Sequence, residues 1–286
     1  MMRTGLIGWP LGHSLSPQIH KIAFEMAGIS GNYDLYPIAP NSMSDLEKIL
    51  IQVRSQEIQG LNVTIPLKIS IIPLLDDLEG GADRYQAVNT VFLKDHKLIG
   101  TNTDGPGFKR DMEVCFGTEV LRGKTALVFG AGGSAKAVLA ELIENGMFVT
   151  IVVRNRERAL NLLSRFNISE KDNFVIIENG QINQRTIDGV DLIINATPLG
   201  MVPDIDGMPI SENLILNHNQ CIYDLVYNPT PTQLTKKALR EGAKACNGFG
   251  MLVEQALLAF EIWTGISIPR DEFFKHYQLA NGEKLP

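Results

Sequence analysis

Apolar residues recur along this chain in two alternating rhythms, and the alternation predicts strands separated by helices. Residues 4–8 form a short apolar strand, and a Gly/Ser/Pro loop leads from it to a helix over 17–27. A strand at 32–37, a helix at 44–52 and a strand at 60–65 follow. Pro66 is then placed to open the next helix at its first position. Residues 88–93 and 97–100 flank Lys94-Asp95-His96 and read as a hairpin. A second series starts near Gly123. Its strands, 125–129, 148–153, 190–195 and 221–225, are almost continuously apolar, as strands buried on both faces are. Helices are predicted at 134–144 and 155–165. Strands joined by crossover helices imply a parallel sheet with right-handed connections. A last long helix, 250–264, lies beyond this set and is expected to return to the first domain.

The chain has 286 residues, 44% of them apolar, enough for two buried cores rather than one. No repeat or low-complexity segment interrupts the pattern. The expected class is therefore α/β in two domains. A net charge of −6 argues against a nucleic-acid partner, which a basic face would serve. No run approaches the length of a membrane span, and Met1-Met2-Arg3-Thr4-Gly5-Leu6 is too short an apolar run for a signal peptide. Cys115, Cys221 and Cys246 lie far apart and form no CxxC, which fits a reducing compartment, so a cytoplasmic location is expected. Histidines 13, 20, 96, 218 and 276 make no cluster with ligand spacing, so no metal site is predicted.

The strand over 125–129 runs straight into Gly130-Ala131-Gly132-Gly133-Ser134-Ala135 and then a helix. Small residues let such a turn approach a pyrophosphate, and the helix N-terminus offers it free N–H groups and partial positive charge. The bland alternative is a tight strand-to-helix turn without a ligand. An NAD enzyme usually carries an acidic residue about 20 positions past the glycines. Here Val153 and Arg154 occupy that place, followed by Asn155, Arg156 and Arg158. A planar guanidinium suits an adenosine 2′-phosphate, so NADP is the predicted cofactor, with Arg154 and Arg158 favoured over Arg156.

Several blocks in this order resemble the shikimate dehydrogenase family. They are Ser14-Leu15-Ser16-Pro17, Asn62-Val63-Thr64-Ile65-Pro66-Leu67-Lys68, Ala87-Val88-Asn89-Thr90, Asn102-Thr103-Asp104-Gly105, the glycine loop, Asn195-Ala196-Thr197 and the run from Gly248 through Met251 to Gln255. The resemblance implies an N-terminal α/β substrate domain (1–105, completed by 248–286) and a Rossmann-like NADP-binding domain (106–247), with a cleft between them. It implies NADPH-dependent, reversible reduction of 3-dehydroshikimate to shikimate, a step of chorismate and aromatic amino-acid biosynthesis.

Lys68 lies in the first turn of the helix after Pro66, where the dipole opposes a further positive charge and eases loss of a proton. Such a lysine suits proton transfer to or from an alcohol oxygen. Asp104 reads also as the N-cap of a following helix, a role compatible with facing the cleft; only the resemblance pairs it with Lys68. Ser14 and Ser16 share a side if their segment is extended and could hold a carboxylate, with Ser16 as a helix N-cap the alternative. The resemblance assigns both to the substrate carboxylate, and serine at the first position to shikimate rather than quinate. It also assigns Asn62, Thr64, Asn89 and Tyr227 to the substrate, and Asn155, Thr197, Gly248 and Met251 to the cofactor. Gln255, in an apolar helix, needs a partner, either a substrate hydroxyl or a nearby backbone group. Two positions depart from the family: Gln86 stands where glycine is usual, and Val153-Arg154-Asn155 where Asn-Arg-Thr is usual. Competing readings are a relative acting on quinate or an amino-substituted shikimate, and a non-catalytic NADP-binding sensor. The substrate is thus a small molecule, and a homodimer is left open.

Overall fold

The structure is a computed structural model describing residues 1–12, 14–163 and 173–281, the side chains of 158, 161–163 and 281 excepted. The chain divides into two compact units, Met1–Gly107 with the segment from Leu252 onward, and Phe108–Met251.

The first unit begins with β1 (Met2–Gly8), α1 (Ser16–Ala27), β2 (Gly31–Pro37), α2 (Met43–Arg54) and β3 (Gly60–Val63). The one-turn helix α3 (Leu67–Ser70), the short β4 (Asp77–Leu78) and α4 (Ala82–Tyr85) follow. The hairpin of β5 (Thr90–Lys94) and β6 (Lys97–Thr101) turns through Asp95 and His96, both at positive φ. α5 (Asp104–Phe116) then starts. The sheet order is β2-β1-β3-β5-β6-β4. β1 runs parallel to β2 and β3, whereas β5 is antiparallel to both neighbours, so the hairpin makes this sheet mixed. Leu46, Ile49, Leu50 and Val53 form the buried stripe of α2 at helical spacing, and pack with Ile7, Leu61, Val63, Val91 and Leu98 of the strands.

The second unit carries β7 (Thr125–Phe129), α6 (Gly133–Glu144), β8 (Phe148–Val153), α7 (Arg156–Leu163), β9 (Phe174–Glu178) and α8 (Gln184–Asp188). It continues with β10 (Leu192–Asn195), β11 (Cys221–Asp224), α9 (Gln233–Arg240) and β12 (Lys244–Asn247). All its strands are parallel, in the order β12-β11-β10-β7-β8-β9. Ala126 and Val128 enter one core cluster, and Leu127 and Phe129 another. Strand side chains alternate between faces, so residues 126–129 of β7, buried on both faces, must be apolar. The chain leaves this unit in α10 (Phe249–Thr264), and α11 (Arg270–Asn281) follows. No described helix is long and apolar enough to cross a membrane.

Three local readings are corrected here. Leu15 is helical and Ser16 already lies in α1, so the Ser14–Ser16 segment is not extended. Pro66 precedes α3 rather than opening it from within. Cys115 and Cys246, separate in the sequence reading, form a disulfide across 131 positions, with Cα atoms 6.4 Å apart. Spacing along the chain carried no information about that approach, and the bridge removes the cysteine-based argument for a reducing compartment. Gln86 adopts φ 47°, a left-handed conformation that glycine takes without strain.

Candidate active site

The register of the first sheet lines up one edge. Asn62, the third residue of β3, pairs with Thr90 at the start of β5, and Thr90 pairs with Thr101 at the end of β6. The segments leaving this row carry Thr64 and Lys68, Asn89, and Asn102-Thr103-Asp104. The antiparallel hairpin thus brings together residues that are distant in sequence.

Lys68 Nζ donates to Asp104 Oδ2 at 2.5 Å, and both side chains are largely buried, 12% and 9% exposed. Asn89, itself buried, donates to Asp104 Oδ1 at 2.8 Å and to Thr103 Oγ1 at 2.9 Å. Its Oδ1 accepts from the Thr103 N–H at 2.8 Å and from Thr90 Oγ1 at 2.9 Å. Both Asp104 oxygens are therefore engaged by side chains, and the Asp104 N–H is taken by Asn102 Oδ1 at 2.9 Å. Asp104 is the first residue of α5 rather than its N-cap. α3 is a single turn, so its dipole is a smaller influence on Lys68 than the carboxylate in direct contact.

Both polar atoms of the Asn62 side chain have partners within the protein, and its Oδ1 can accept one bond more. Its Oδ1 accepts from the Tyr33 hydroxyl at 2.8 Å, and its amide donates to Asn89 O and Thr90 Oγ1. Gln255 finds the backbone partner, donating to Leu252 O at 2.7 Å, while its Oε1 lies 3.5 Å from the Asn89 amide. Gly107 permits this approach of α5 and α10, because a Cβ there would meet Gln255 N at 2.9 Å. Ser16 is buried and Ser14 half-buried, and Ser14 Oγ accepts from the Ser16 N–H at 3.3 Å. Leu15 is the N-cap of α1 and no side chain caps it, so capping does not occupy the Ser16 hydroxyl. Thr64 is half-buried just past β3.

Sequence reasoning passed over Tyr33 and His20. Tyr33 orients Asn62, and His20 stacks on it face to face at 4.1 Å. Neither His20 ring nitrogen has a hydrogen-bond partner among the described residues. Burial pushes the imidazole down to about 3, against a raising influence from Asn62, so it is neutral. Tyr33 is the one fully buried residue of β2, and no local pattern marks it or its partner.

In the second unit, the carboxyl end of β7 passes into the glycine turn. Gly130 has φ 99°, and a Cβ there would meet Ala196 O at 2.9 Å and Thr197 Cγ2 at 3.1 Å. Both conformation and space therefore exclude a side chain. A Cβ on Gly132, the N-cap of α6, would meet nothing, so this backbone is open to an approaching anion. Ala131 and Gly133 are half-buried, Ser134 is exposed and Ala135 is packed in the core. Arg154 and Asn155 lie exposed just past β8, while the side chain of Arg158 lies outside the described residues. Thr197 follows β10, half-buried, and Tyr227 follows β11, where burial raises its hydroxyl. Gly248 and Met251 are buried at the start of α10. The chain turns back from β9 to β10 on the other side of β7, a topological switch point of the kind at which open parallel sheets bind ligands. Among the described residues one donor cluster with metal-ligand chemistry occurs, Asp111, Cys115 and Cys246. Its two sulfurs are bonded to each other.

A mixed sheet with a buried lysine–carboxylate pair, joined to a parallel sheet with a glycine turn at its switch point, defines a two-unit α/β protein of the dinucleotide-binding kind. Three family profiles match in chain order. They are the shikimate dehydrogenase substrate binding domain over residues 6–91, shikimate / quinate 5-dehydrogenase over 115–199, and the shikimate 5′-dehydrogenase C-terminal domain over 248–273. The shikimate dehydrogenase (NADP(+)) of Methanocaldococcus jannaschii is 40% identical over 276 residues, 95% of this chain and 94% of its own. A solved shikimate 5-dehydrogenase from Thermus thermophilus, in complex with NADP(H) and shikimate, is 33% identical with a TM-score of 0.82, over 98% of this chain and 100% of that one. A quinate dehydrogenase from Corynebacterium glutamicum, in complex with NAD, is 29% identical with a TM-score of 0.86, over 97% and 99%. The chain belongs to the shikimate dehydrogenase family.

Proposed function

We propose that this protein catalyses the NADPH-dependent, reversible reduction of 3-dehydroshikimate to shikimate in the cytoplasm, within chorismate and aromatic amino-acid biosynthesis. The carrying observation is the buried Lys68–Asp104–Asn89 cluster in a chain matched to the family along its length. Lys68 Nζ gives a proton to the carbonyl oxygen as that carbon is reduced, and takes one from the hydroxyl in reverse. Asp104 holds the ammonium in place and offsets its charge, and Asn89 fixes the second carboxylate oxygen. Ser14 and Ser16 bind the substrate carboxylate, Asn62, Thr64, Asn89 and Gln255 line the ring hydroxyls, and Tyr227 lies near the substrate.

The glycine turn fits a pyrophosphate, because Gly132 leaves its backbone open at the N-terminus of α6. Bound NADPH would supply the hydride. Gly130 to Ala135 would hold its pyrophosphate, Arg154, Asn155 and Arg158 its 2′-phosphate, and Thr197, Gly248 and Met251 its nicotinamide half.

Quinate is the second reading, because a quinate dehydrogenase shares the fold at a TM-score of 0.86. Ser14, on the family pattern, favours shikimate. A non-catalytic sensor would have no use for the lysine–carboxylate pair. The test follows NADPH absorbance with purified protein on shikimate, quinate and each nucleotide. The expected result is the highest kcat/KM with shikimate and NADP, and loss of roughly 10²-fold or more of turnover in Lys68→Ala with NADPH binding kept. Higher kcat/KM on quinate, or near-native turnover without Lys68, overturns the corresponding part.

A further inference from the structure

β11 reads Cys221-Ile222-Tyr223 and then ends in an acid, Asp224, which is wholly buried. A carboxylate in that position is tolerated only when its oxygens accept hydrogen bonds. Asp224 Oδ1 accepts from Asn195 Nδ2 at 2.9 Å and from the Val226 N–H at 3.0 Å. Its Oδ2 accepts from the Thr232 hydroxyl at 2.6 Å. Each partner fixes a different piece of chain. Asn195, also buried, donates to Leu199 O at 3.0 Å, and its Oδ1 accepts from the Thr197 N–H at 3.0 Å and the Thr197 hydroxyl at 2.6 Å. Val226 immediately precedes Tyr227. Thr232 caps α9, accepting from the Thr235 N–H at 3.2 Å.

We propose that Asp224 is a positioning residue for the nicotinamide half of the dinucleotide site, holding the loops that carry Thr197 and Tyr227 at the carboxyl ends of β10 and β11. This rests on the NADP reading above. A dinucleotide on a parallel sheet spans the switch point, with its two halves on opposite sides. Arg154 marks the β8 side as the adenosine side, so the nicotinamide lies toward β10 and β11. Thr197 stands at the crossing, its methyl group against the glycine turn at Gly130.

The argument predicts unequal effects on the two halves. All of Asp224's partners donate, so Asp224→Asn presents an NH₂ where an acceptor is needed and at least one tie is lost. The probes are 2′,5′-ADP, which reaches only the adenosine side, and NADPH, with affinities measured by calorimetry and folding checked by circular dichroism. Asp224→Asn should bind 2′,5′-ADP within about twofold of wild type, bind NADPH about tenfold more weakly, and lose about tenfold or more in kcat at saturating NADPH. Thr232→Val should move the same way without touching the buried acid, and Thr232→Ser, which keeps the hydroxyl, should behave as wild type. NADPH affinity and kcat within twofold of wild type in both Asp224→Asn and Thr232→Val overturn the proposal. Equal losses for the two ligands also overturn it, since a merely structural role weakens both. Wild type that binds NADPH but not 2′,5′-ADP would sink the Arg154 assignment and with it the placement of the halves. Wild type that binds neither would sink the NADP reading itself.

Discussion

Asn89→Ala strips Asp104 Oδ1 of the amide donating to it at 2.8 Å, and leaves the Thr103 N–H without the Asn89 oxygen it now reaches at 2.8 Å. A hydrogen bond to an ionised group contributes about 1.5–3 kcal/mol. If that support is needed in the transition state, turnover falls by roughly 10- to 150-fold. The orphaned Thr103 amide, in a buried position, costs about 1–3 kcal/mol of stability. At roughly 2–4 °C per kcal/mol, Tm drops by several degrees. Steady-state kinetics at saturating NADPH, with a thermal melt on the same preparation, read both effects. A cycle with Lys68→Ala tests the route of action, because residues working as a unit are not additive. The part of its effect that runs through Asp104 to Lys68 should vanish from kcat once Lys68 is gone, leaving only what its contact with the substrate contributes. A single variant retaining kcat within about threefold, or a fully additive double variant, would refute the reasoning.

Arg154→Ser should lower the preference for NADP over NAD by about tenfold or more, read as the ratio of kcat/KM values; an unchanged ratio removes Arg154 from the 2′-phosphate. Asp224 gives a pH signature. Burial, opposed by its hydrogen bonds to Thr232, Val226 and Asn195, raises it from 3.8 to about 6. With the folded value above the unfolded one, its stabilising contribution is full below about pH 4 and lost as pH rises through 6. The difference is roughly 3 kcal/mol by pH 7. Urea unfolding should show that slope in wild type and lack it in Asp224→Asn, and parallel curves would contradict it. Closing a loop of 131 residues gives the Cys115–Cys246 bridge a chain-entropy ceiling of about 5 kcal/mol. Cys115→Ser should therefore melt several degrees lower under oxidising conditions and match wild type in reductant. Denatured, unreduced protein should show one free thiol of its three; three would show the bridge does not form.

The sequence by itself determined the elements whose signal is local. The runs at 125–129 and 148–153 coincide with β7 and β8, because strands buried on both faces read as nearly continuous apolar runs, broken here only by Thr125 and Thr150. The glycine turn was legible because its backbone conformation and close approach select residue type directly. The elements β4, α4, β9, α8, α9, β12 and α11 escaped notice. β12, at the sheet edge, is Lys244-Ala245-Cys246-Asn247, too short and too little buried to leave a continuous apolar run. The Ser14–Ser16 geometry was misjudged because α1 starts a residue earlier than its proline suggests. What only the tertiary structure decided is who meets whom. Lys68 and Asp104 stand 36 residues apart and meet because an antiparallel hairpin carries the chain back to the same sheet edge. The same holds for Tyr33 with Asn62, Asn195 with Asp224, and Cys115 with Cys246. Periodicity records which face of an element is buried, since backbone geometry fixes that within a few residues. Partners across a core are chosen by the packing of whole elements, and no short stretch of sequence carries that choice.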